Sequence, residues 1–242
     1  MKFYGVQIEE RERVGNYTLL HYRWPDDRIE PGQFVMARTT PLIWDPFLAR
    51  PFSFYDYDGE VASLLLEVRG RGTALLDLAP AIEVSGPLGR GFRIEATTER
   101  AALLGGGVGV APLKVLARRL SELGVPHDVF LGFADAKTAE IARAFPASKV
   151  ATMDGSAGTH GTVLDAAREL ERYPVVYACG PNPMLAAIER EIGEGCVCQL
   201  SVEERMGCGN GSCNACVVPV RDGGYVRSCV EGPVFGAEVL AW

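Results

Sequence analysis

Four cysteines near the end of the sequence constrain this chain more than any other feature. They follow the spacing Cys208-x4-Cys213-x2-Cys216, with twelve residues between Cys216 and Cys229. This spacing is typical of plant-type [2Fe–2S] sites, which are held by four thiolates. Small residues let such a loop curl tightly and turn backbone N–H groups toward sulfur; here they are Gly207, Gly209, Gly211, Ser212, Asn214 and Ala215. We therefore predict an iron–sulfur cluster on these four cysteines.

A structural zinc site is the alternative, because zinc also binds four thiolates. Zinc modules more often pair their ligands as C-x2-C knuckles, so the spacing favours iron and sulfur. Cys196 and Cys198 are the spare ligands if the set is different. Clustered cysteines in a reducing compartment indicate metal or redox chemistry rather than disulfides.

Composition excludes several other classes of protein. Of 242 residues, 48% are hydrophobic and 23% charged, which is typical of a globular chain. The net charge of −7 argues against an extended nucleic-acid surface, since phosphate contacts need cations. No window has the length of apolar sequence that a membrane span needs. The N-terminus turns acidic before a signal-peptide core could form, so we expect a cytoplasmic protein without membrane or nucleic-acid partners.

Two stretches differ in their periodicity. Up to Ile94, short apolar runs are separated by Gly, Pro and Asp, which predicts an antiparallel barrel or sandwich; the runs are 17–22, 32–37, 61–68 and 81–84. From Ala101, apolar strands alternate with glycine turns and helices, the pattern of a parallel sheet. The helix after Pro112 has one apolar face, formed by Leu113, Leu116, Ala117, Leu120 and Leu123, and Gly124 ends it.

Three short motifs have both a functional and a structural interpretation. Gly105 to Pro112, between a strand and a helix, is suited to cradle a pyrophosphate but also occurs in ordinary βα turns. Arg50-Pro51-Phe52-Ser53 offers a guanidinium for phosphate and a hydroxyl for a flavin, or else a surface arginine and a strand-end serine. Thr73 is a natural N-cap for a short helix at 74–78, where a second pyrophosphate site is possible. A single residue, Cys179, also has two interpretations. It follows a predicted buried strand and is either a small core residue or a thiol of the active site.

Taken in order, the motifs resemble the ferredoxin reductase-like flavoproteins. Their sequence is R-P-F-S, G-R-G-T, G-P-L-G at 86–89, G-G-G-V-G-V-A-P, C-G-P-N-P-M and the cysteine motif. The run E-E-R-M-G-C-G at 203–209 and the ending C-V-E-G-P-V-F at 229–235 are most similar to the electron-transfer subunits of NAD-linked, type B dihydroorotate dehydrogenases. The resemblance covers nearly the whole chain.

The resemblance implies a fold of three units. They are an FAD-binding antiparallel β-barrel at 1–97, an NAD-binding α/β domain with a parallel sheet at 98–198, and a small C-terminal [2Fe–2S] domain at 199–242. By the same resemblance FAD contacts Arg50, Pro51, Phe52, Ser53, Glu67, Val68, Arg69, Gly72 and Thr73. Phe52 stands where many ferredoxin reductases have tyrosine, which keeps an aromatic face for the isoalloxazine. The nicotinamide nucleotide would contact Gly106, Gly107, Gly109, Cys179, Gly180 and Pro181.

The implied function is electron transfer between NAD(H) and a partner. Redox chemistry belongs to the cofactors, so no catalytic side chain is needed, and His21, His127 and His160 lie in no recognisable catalytic motif. The family oxidises dihydroorotate, for pyrimidine biosynthesis, on a separate FMN-containing subunit in a heterotetramer of two plus two. Asp135, after a predicted strand, suits a ribose hydroxyl and favours NADH over NADPH. The alternatives are a diaphorase subunit of another complex, serving a ferredoxin, hydrogenase or sulfur reductase, and a zinc-stapled interaction module without flavin.

Overall fold

The first seven strands form one antiparallel sheet. A computed structural model describes residues 1–25, 28–94 and 100–242. The strands are β1 (Tyr4–Gln7), β2 (Glu10–Val14), β3 (Tyr17–Arg23), β4 (Phe34–Thr39), β5 (Arg50–Tyr57), β6 (Val61–Glu67) and β7 (Ala81–Leu88). They pair in the order β1-β7-β4-β5-β6-β3-β2, and β1 contacts β3, so the sheet curls around an apolar interior. Leu20, Val35, Phe54, Leu64 and Ile82 are buried there, as alternating apolar sequence requires.

One helix, α1 (Arg71–Leu78), interrupts this sheet between β6 and β7. The prediction that Thr73 caps a helix starting at residue 74 is wrong, because α1 starts at Arg71 and its N-cap is Gly70. Thr73 instead occupies the third helical position, where its hydroxyl accepts the backbone N–H of Arg69 and of Gly70 at 2.9 and 3.1 Å. The Thr73 hydroxyl therefore satisfies two backbone N–H groups at the start of α1, although Thr73 itself lies within the first turn.

The second half of the chain forms a parallel sheet. Its strands are β8 (Ala101–Gly106), β9 (His127–Phe133), β10 (Lys149–Thr152), β11 (Thr159–His160), β12 (Val175–Gly180) and β13 (Val197–Val202), followed by β14 (Val217–Pro219), β15 (Tyr225–Arg227) and β16 (Val234–Gly236). The sheet order is β11-β10-β9-β8-β12-β13-β16, with β16 antiparallel to β13 and the others parallel. β14 and β15 form a separate hairpin. The predicted fold class, an antiparallel barrel sheet, a parallel α/β sheet and a small C-terminal unit, is confirmed.

Helices α2 (Val110–Glu122), α3 (Val163–Ala166) and α4 (Asn182–Glu191) connect the parallel strands. In α2 the predicted apolar face is buried at Leu113, Leu116 and Leu120. Leu123 departs from the prediction, since it lies just past the last helical residue and is 48% exposed. The turn that Gly124 makes with a φ of +69° ends the helix there, as expected of a C-terminal glycine.

The three predicted units are joined by a shared sheet and by side-chain contacts. The predicted boundary between residues 198 and 199 falls inside β13, and β16 from the C-terminal segment extends the parallel sheet. The boundary between residues 97 and 98 lies outside the described residues. Arg118 of α2 joins the two sheets by donating to the Asp56 carboxylate at 2.6 Å and to the Tyr57 carbonyl at 2.8 Å. In the described part of the chain, no helix has the length and apolarity of a membrane span.

Candidate functional site

A cleft of about 270 Å³ lies where the barrel sheet, the start of α2 and the C-terminal segment meet. The barrel contributes Phe34, Arg50, Pro51, Phe52, Ser53, Leu65, Glu67, Arg69 and Thr73. The parallel-sheet unit contributes Val108, Gly109, Ala111, Pro112, Cys179, Ser201 and Val202, and the segment after β13 contributes Glu203, Glu204, Met206 and Pro233. Two groups of predicted cofactor residues therefore share one cavity.

Seven of the nine predicted flavin residues line this cleft. Gly72 does not, but it touches Arg50: a Cβ on Gly72 would overlap the Arg50 guanidinium. A larger residue at position 72 would displace the guanidinium from the first turn of α1, so glycine lets the cation lie beside the helix N-terminus. Both features suit a pyrophosphate. Val68 also lies outside the cleft and is 46% exposed.

The predicted nucleotide residues lie on two adjacent βα turns. Gly109, the residue before α2, packs so closely on the Cys179 carbonyl that a Cβ would overlap it. Gly106 packs on α4, where a Cβ would stand 2.5 Å from Met184 Sδ. Gly107 has a φ of +55° and open space around it. Gly106 and Gly109 thus bring the two turns together. Of the six predicted nucleotide residues, Gly109 and Cys179 line the cleft, and the other four do not: Gly106, Gly107, Gly180 and Pro181.

Cys179 is buried in the core and also lines the cleft. Its side chain is buried and bonds Ser201, and the residue lines the cleft where the two halves meet. Burial raises the pKa of the Cys179 thiol, with Glu203 adding to the effect. The thiol is therefore neutral at physiological pH, suited to packing against a ligand rather than to nucleophilic attack.

Sequence reasoning missed the acidic contribution to this cleft. Glu203 and Glu204 line it, and the Asn182 side chain donates to Glu204 Oε1 at 3.1 Å. Desolvation where Glu203 lines the cleft raises the pKa of its carboxyl; the charge of Glu67 raises that pKa further, and the charge of Arg69 opposes the shift. These residues stand in the run E-E-R-M-G-C-G, which carried the family resemblance but no assigned role. In the sequence, that run was the feature that could have indicated an acidic contribution to the cleft.

The first two cysteines of the motif form a pair at the outer side of the cysteine loop. The backbone N–H groups of Asn210 and Cys213 donate to Cys208 Sγ at 3.5 and 3.4 Å. Burial raises the pKa of Cys208, but bonds from Ser212 and these N–H groups outweigh it and lower the pKa to about 6. Cys213 is exposed. The loop thus favours a thiolate, the form that binds metal.

The other two cysteines form a buried pair beside the cleft. Cys216 and Cys229 are hydrogen-bonded to each other and pack with Phe34 and Met36 of β4. Burial, followed by the neighbouring Cys216, raises the pKa of Cys229 to about 12. Met206 packs on the same group, and both Met206 and Phe34 also line the cleft. Two side chains therefore separate the cleft from the buried cysteines.

The two-plus-two arrangement of the cysteines fits the predicted cluster. Over residues 1–25, 28–94 and 100–242, no three Cys, His, Asp or Glu side chains converge on a point for one metal ion. A zinc site needs four ligands around one centre, whereas a [2Fe–2S] cluster takes two thiolates at each of two irons. The cysteine pairs fit the cluster. Cys198 packs elsewhere, in the core behind β13, with Cys196 against that core, so neither joins the set.

Asp135 and the three histidines make local hydrogen bonds or are exposed, and none of them lines the cleft. Asp135 follows β9, where its carboxylate accepts the Thr138 N–H at 2.8 Å and starts the turn over Thr138–Ala144. The histidines contribute nothing to the cleft: His21 bonds Ser63 at 2.8 Å, His127 bonds the Val125 carbonyl at 3.0 Å, and His160 is exposed.

The family model for the iron–sulfur cluster binding domain of dihydroorotate dehydrogenase B matches residues 203–241. Proteins named dihydroorotate dehydrogenase B (NAD(+)), electron transfer subunit, are similar over most of their length. The one from Bacillus velezensis is 43% identical, covering 88% of this chain and 87% of its own. The one from Caldanaerobacter subterraneus is 36% identical, and the match covers 96% of this chain and 95% of its own.

Solved structures share the architecture. The NADH-dependent reduced ferredoxin-NADP oxidoreductase superposes with a TM-score of 0.86 and 28% identity, over 98% of this chain and 90% of that one. Phthalate dioxygenase reductase superposes with a TM-score of 0.63 and 15% identity, over 94% of each chain, which shows a common fold.

Proposed function

The chain belongs to the family of dihydroorotate dehydrogenase B (NAD(+)) electron transfer subunits, and from this premise we propose which of its residues carry the function. It is a flavin- and iron–sulfur-dependent subunit that passes electrons between NAD(H) and a partner catalytic subunit. One observation carries the assignment of sites: a single cleft joins the flavin-type residues, the glycine turns and two side chains that reach the buried cysteines.

The barrel side of the cleft is proposed to hold FAD. The Arg50 guanidinium, fastened beside Gly72 at the start of α1, supplies charge for the pyrophosphate, and the Thr73 hydroxyl lines the same wall. Phe52 and Ser53 on β5 offer an aromatic face and a hydroxyl to the flavin ring. Glu67, Val68 and Arg69, at the end of β6, complete the proposed set together with Pro51.

The opposite side is proposed to hold the nicotinamide nucleotide. The close packing of Gly109 on the Cys179 carbonyl brings the N-terminus of α2 to the cleft, where its unpaired N–H groups suit a pyrophosphate. Gly106, Gly107, Gly180 and Pro181 belong to the same two turns. The neutral Cys179 thiol packs beside the nicotinamide. Asp135 at the end of β9 is proposed to favour NADH.

The cysteine pairs are proposed to hold the cluster: Cys208 and Cys213 would supply the outer thiolates, and Cys216 and Cys229 the buried ones. When bound, FAD would supply hydride exchange with the nicotinamide and one-electron exchange with the [2Fe–2S] cluster. The side chains of the protein supply neither reaction. Phe34 and Met206 exclude water between the cleft and the inner pair. The chain itself positions both groups and shields the path between them.

The partner is proposed to be an FMN-containing subunit that oxidises dihydroorotate, in a cytoplasmic heterotetramer of two plus two that supplies pyrimidine synthesis. We expect the chain, purified without oxygen, to show flavin and iron–sulfur absorbance that NADH bleaches together. Bleaching of flavin without any iron signal would contradict the cysteine assignment. A protein that stays colourless after reconstitution with FAD, iron and sulfide would contradict both assignments.

A further inference from the structure

We propose that residues 42–48, between β4 and β5, are the docking segment for the partner catalytic subunit. The inference rests on the proposed function, because it presumes that such a partner takes or gives the electrons. It adds the surface by which the two chains recognise each other. The segment is Leu42-Ile43-Trp44-Asp45-Pro46-Phe47-Leu48.

The segment exposes more apolar side chain than a solvent-facing loop needs. Trp44 is 90% exposed and Leu48 56%, with Phe47 at 51% and Leu42 at 44%. The Trp44 and Phe47 rings stack with centroids 6.1 Å apart and planes 15° from parallel. Aromatic residues contribute the most to binding in protein interfaces, and a concentration of exposed apolar side chains marks such a site.

The docking segment is held by one contact at its centre and one at its C-terminal end. Arg71, at the start of α1, pairs with the Asp45 carboxylate, and Arg50 donates to the Leu48 carbonyl. These contacts hold the loop against the barrel and neutralise its single carboxylate. These contacts reduce the conformational entropy that the segment would lose when a partner covers it.

The position of the docking segment favours this partner. Ala49, the next residue, packs on the group formed by Phe34, Met36, Cys216 and Cys229. The docking segment therefore leads directly into a residue that packs on the group holding the inner cysteines, and Cys213 of the cysteine loop is exposed. A subunit that exchanges electrons with the cluster must approach the cysteine loop, and we expect a chain docked there to reach residues 42–48.

The adenosine half of FAD is the competing occupant, because Arg50 directly follows the segment. Aromatic faces stack on adenine, but a bound nucleoside also needs polar partners for its base edges and ribose hydroxyls. Within residues 42–48 the side chains are apolar except for Asp45, which already pairs with Arg71. The chemistry of the docking segment thus favours an apolar protein surface.

The test uses the cofactor-loaded chain and the purified FMN-containing catalytic subunit, with affinity measured by calorimetry. We expect Trp44→Ser and Phe47→Ser each to weaken association about tenfold or more. FAD content, iron content and reduction of a soluble dye by NADH stay as in the wild type. Trp242→Ser is the matched control, since Trp242 is 48% exposed and bonds Glu189 on α4, and it leaves affinity unchanged.

Each other outcome overturns the assignment in a recognisable way. Wild-type affinity in both docking-segment variants would show that the partner docks elsewhere, with the proposed function intact. Loss of FAD from the Trp44 variant would assign the segment to adenosine. Equal weakening by Trp242→Ser would remove the special role of residues 42–48. A wild-type chain that binds no such subunit would overturn the proposed function, and the docking segment with it.

Discussion

Gly209 of the cysteine loop lies against Met36 of β4, so closely that a Cβ on Gly209 would stand 2.5 Å from Met36 Cγ. Met36 is fully buried and packs with Cys216 and Cys229. The contact therefore seats the cysteine loop directly on the barrel sheet, with no room for a side chain between them. Gly209 also has a φ of +71°, which L-residues rarely adopt.

Gly209→Ala is expected to unseat the cysteine loop. Gly223 is the matched control, because its φ is +80° but a Cβ there meets nothing within 4 Å. Gly223→Ala costs about 1 kcal/mol, from backbone strain alone. Gly209→Ala adds about 1–3 kcal/mol of overpacking. Thermal unfolding and the iron-to-protein ratio check this, and equal losses in the two variants would contradict the steric argument.

Gly72→Ala is expected to lower FAD affinity about tenfold or more, because the new Cβ displaces the Arg50 guanidinium from the start of α1. Gly70→Ala, two residues earlier, is the control: a Cβ there meets nothing within 4 Å, and its φ of −179° is open to any residue. Titration of the apoprotein with FAD measures both. An undiminished affinity in Gly72→Ala would separate Arg50 from the pyrophosphate.

Arg227→Met is expected to speed loss of iron on the order of tenfold, since charged hydrogen bonds are lost. Arg227 donates to the Gly211 carbonyl at 3.1 Å and to Glu231 at 2.5 Å, and so ties the loop of Cys208 and Cys213 to the turn of Cys229. Arg143→Met is the control, because its pair with Glu140 spans one exposed turn. The decay of visible absorbance with an iron chelator measures the rate, and matching rates would contradict this role.

Asp128→Asn is expected to lower stability by about 1 kcal/mol at pH 7. Arg100 and Tyr173 donate to the Asp128 carboxylate and lower its pKa from 3.8 to about 2, which favours the folded state whenever the carboxylate is charged. The contribution is complete above about pH 4 and is lost as the pH falls toward 2. The difference in unfolding midpoint between wild type and variant should shrink over that range.

The exposed Asp222→Asn serves as the control for this pH dependence and should show no difference from wild type at any pH. A difference for Asp128→Asn that persists unchanged at pH 2 would rule out ionisation as its cause.

Local patterns predicted much of the fold. The apolar runs became β3, β4, β6 and β7, and the face of α2 was buried at Leu113, Leu116 and Leu120, because strand and helix periodicity follow from the backbone alone. Helix ends were harder. The pattern predicts an N-cap at Thr73, but α1 starts at Arg71 with Gly70 as its N-cap. Leu123 keeps the helical spacing but lies past the last helical residue, where the turn at Gly124 ends α2.

The chemistry of the site follows from local sequence, because cluster ligation and phosphate binding need particular residue types at short, fixed spacings. The cysteine motif, the R-P-F-S and G-R-G-T segments and the glycine turns were all recognisable before any fold was known. Tertiary structure alone decided how these parts meet. Glu203 and Met206 reach the cleft, Cys216 and Cys229 pack on Phe34 and Met36, and Trp44 stays uncovered. Those relations join residues distant in the chain, and packing between separate sheets, which no local spacing encodes, sets them.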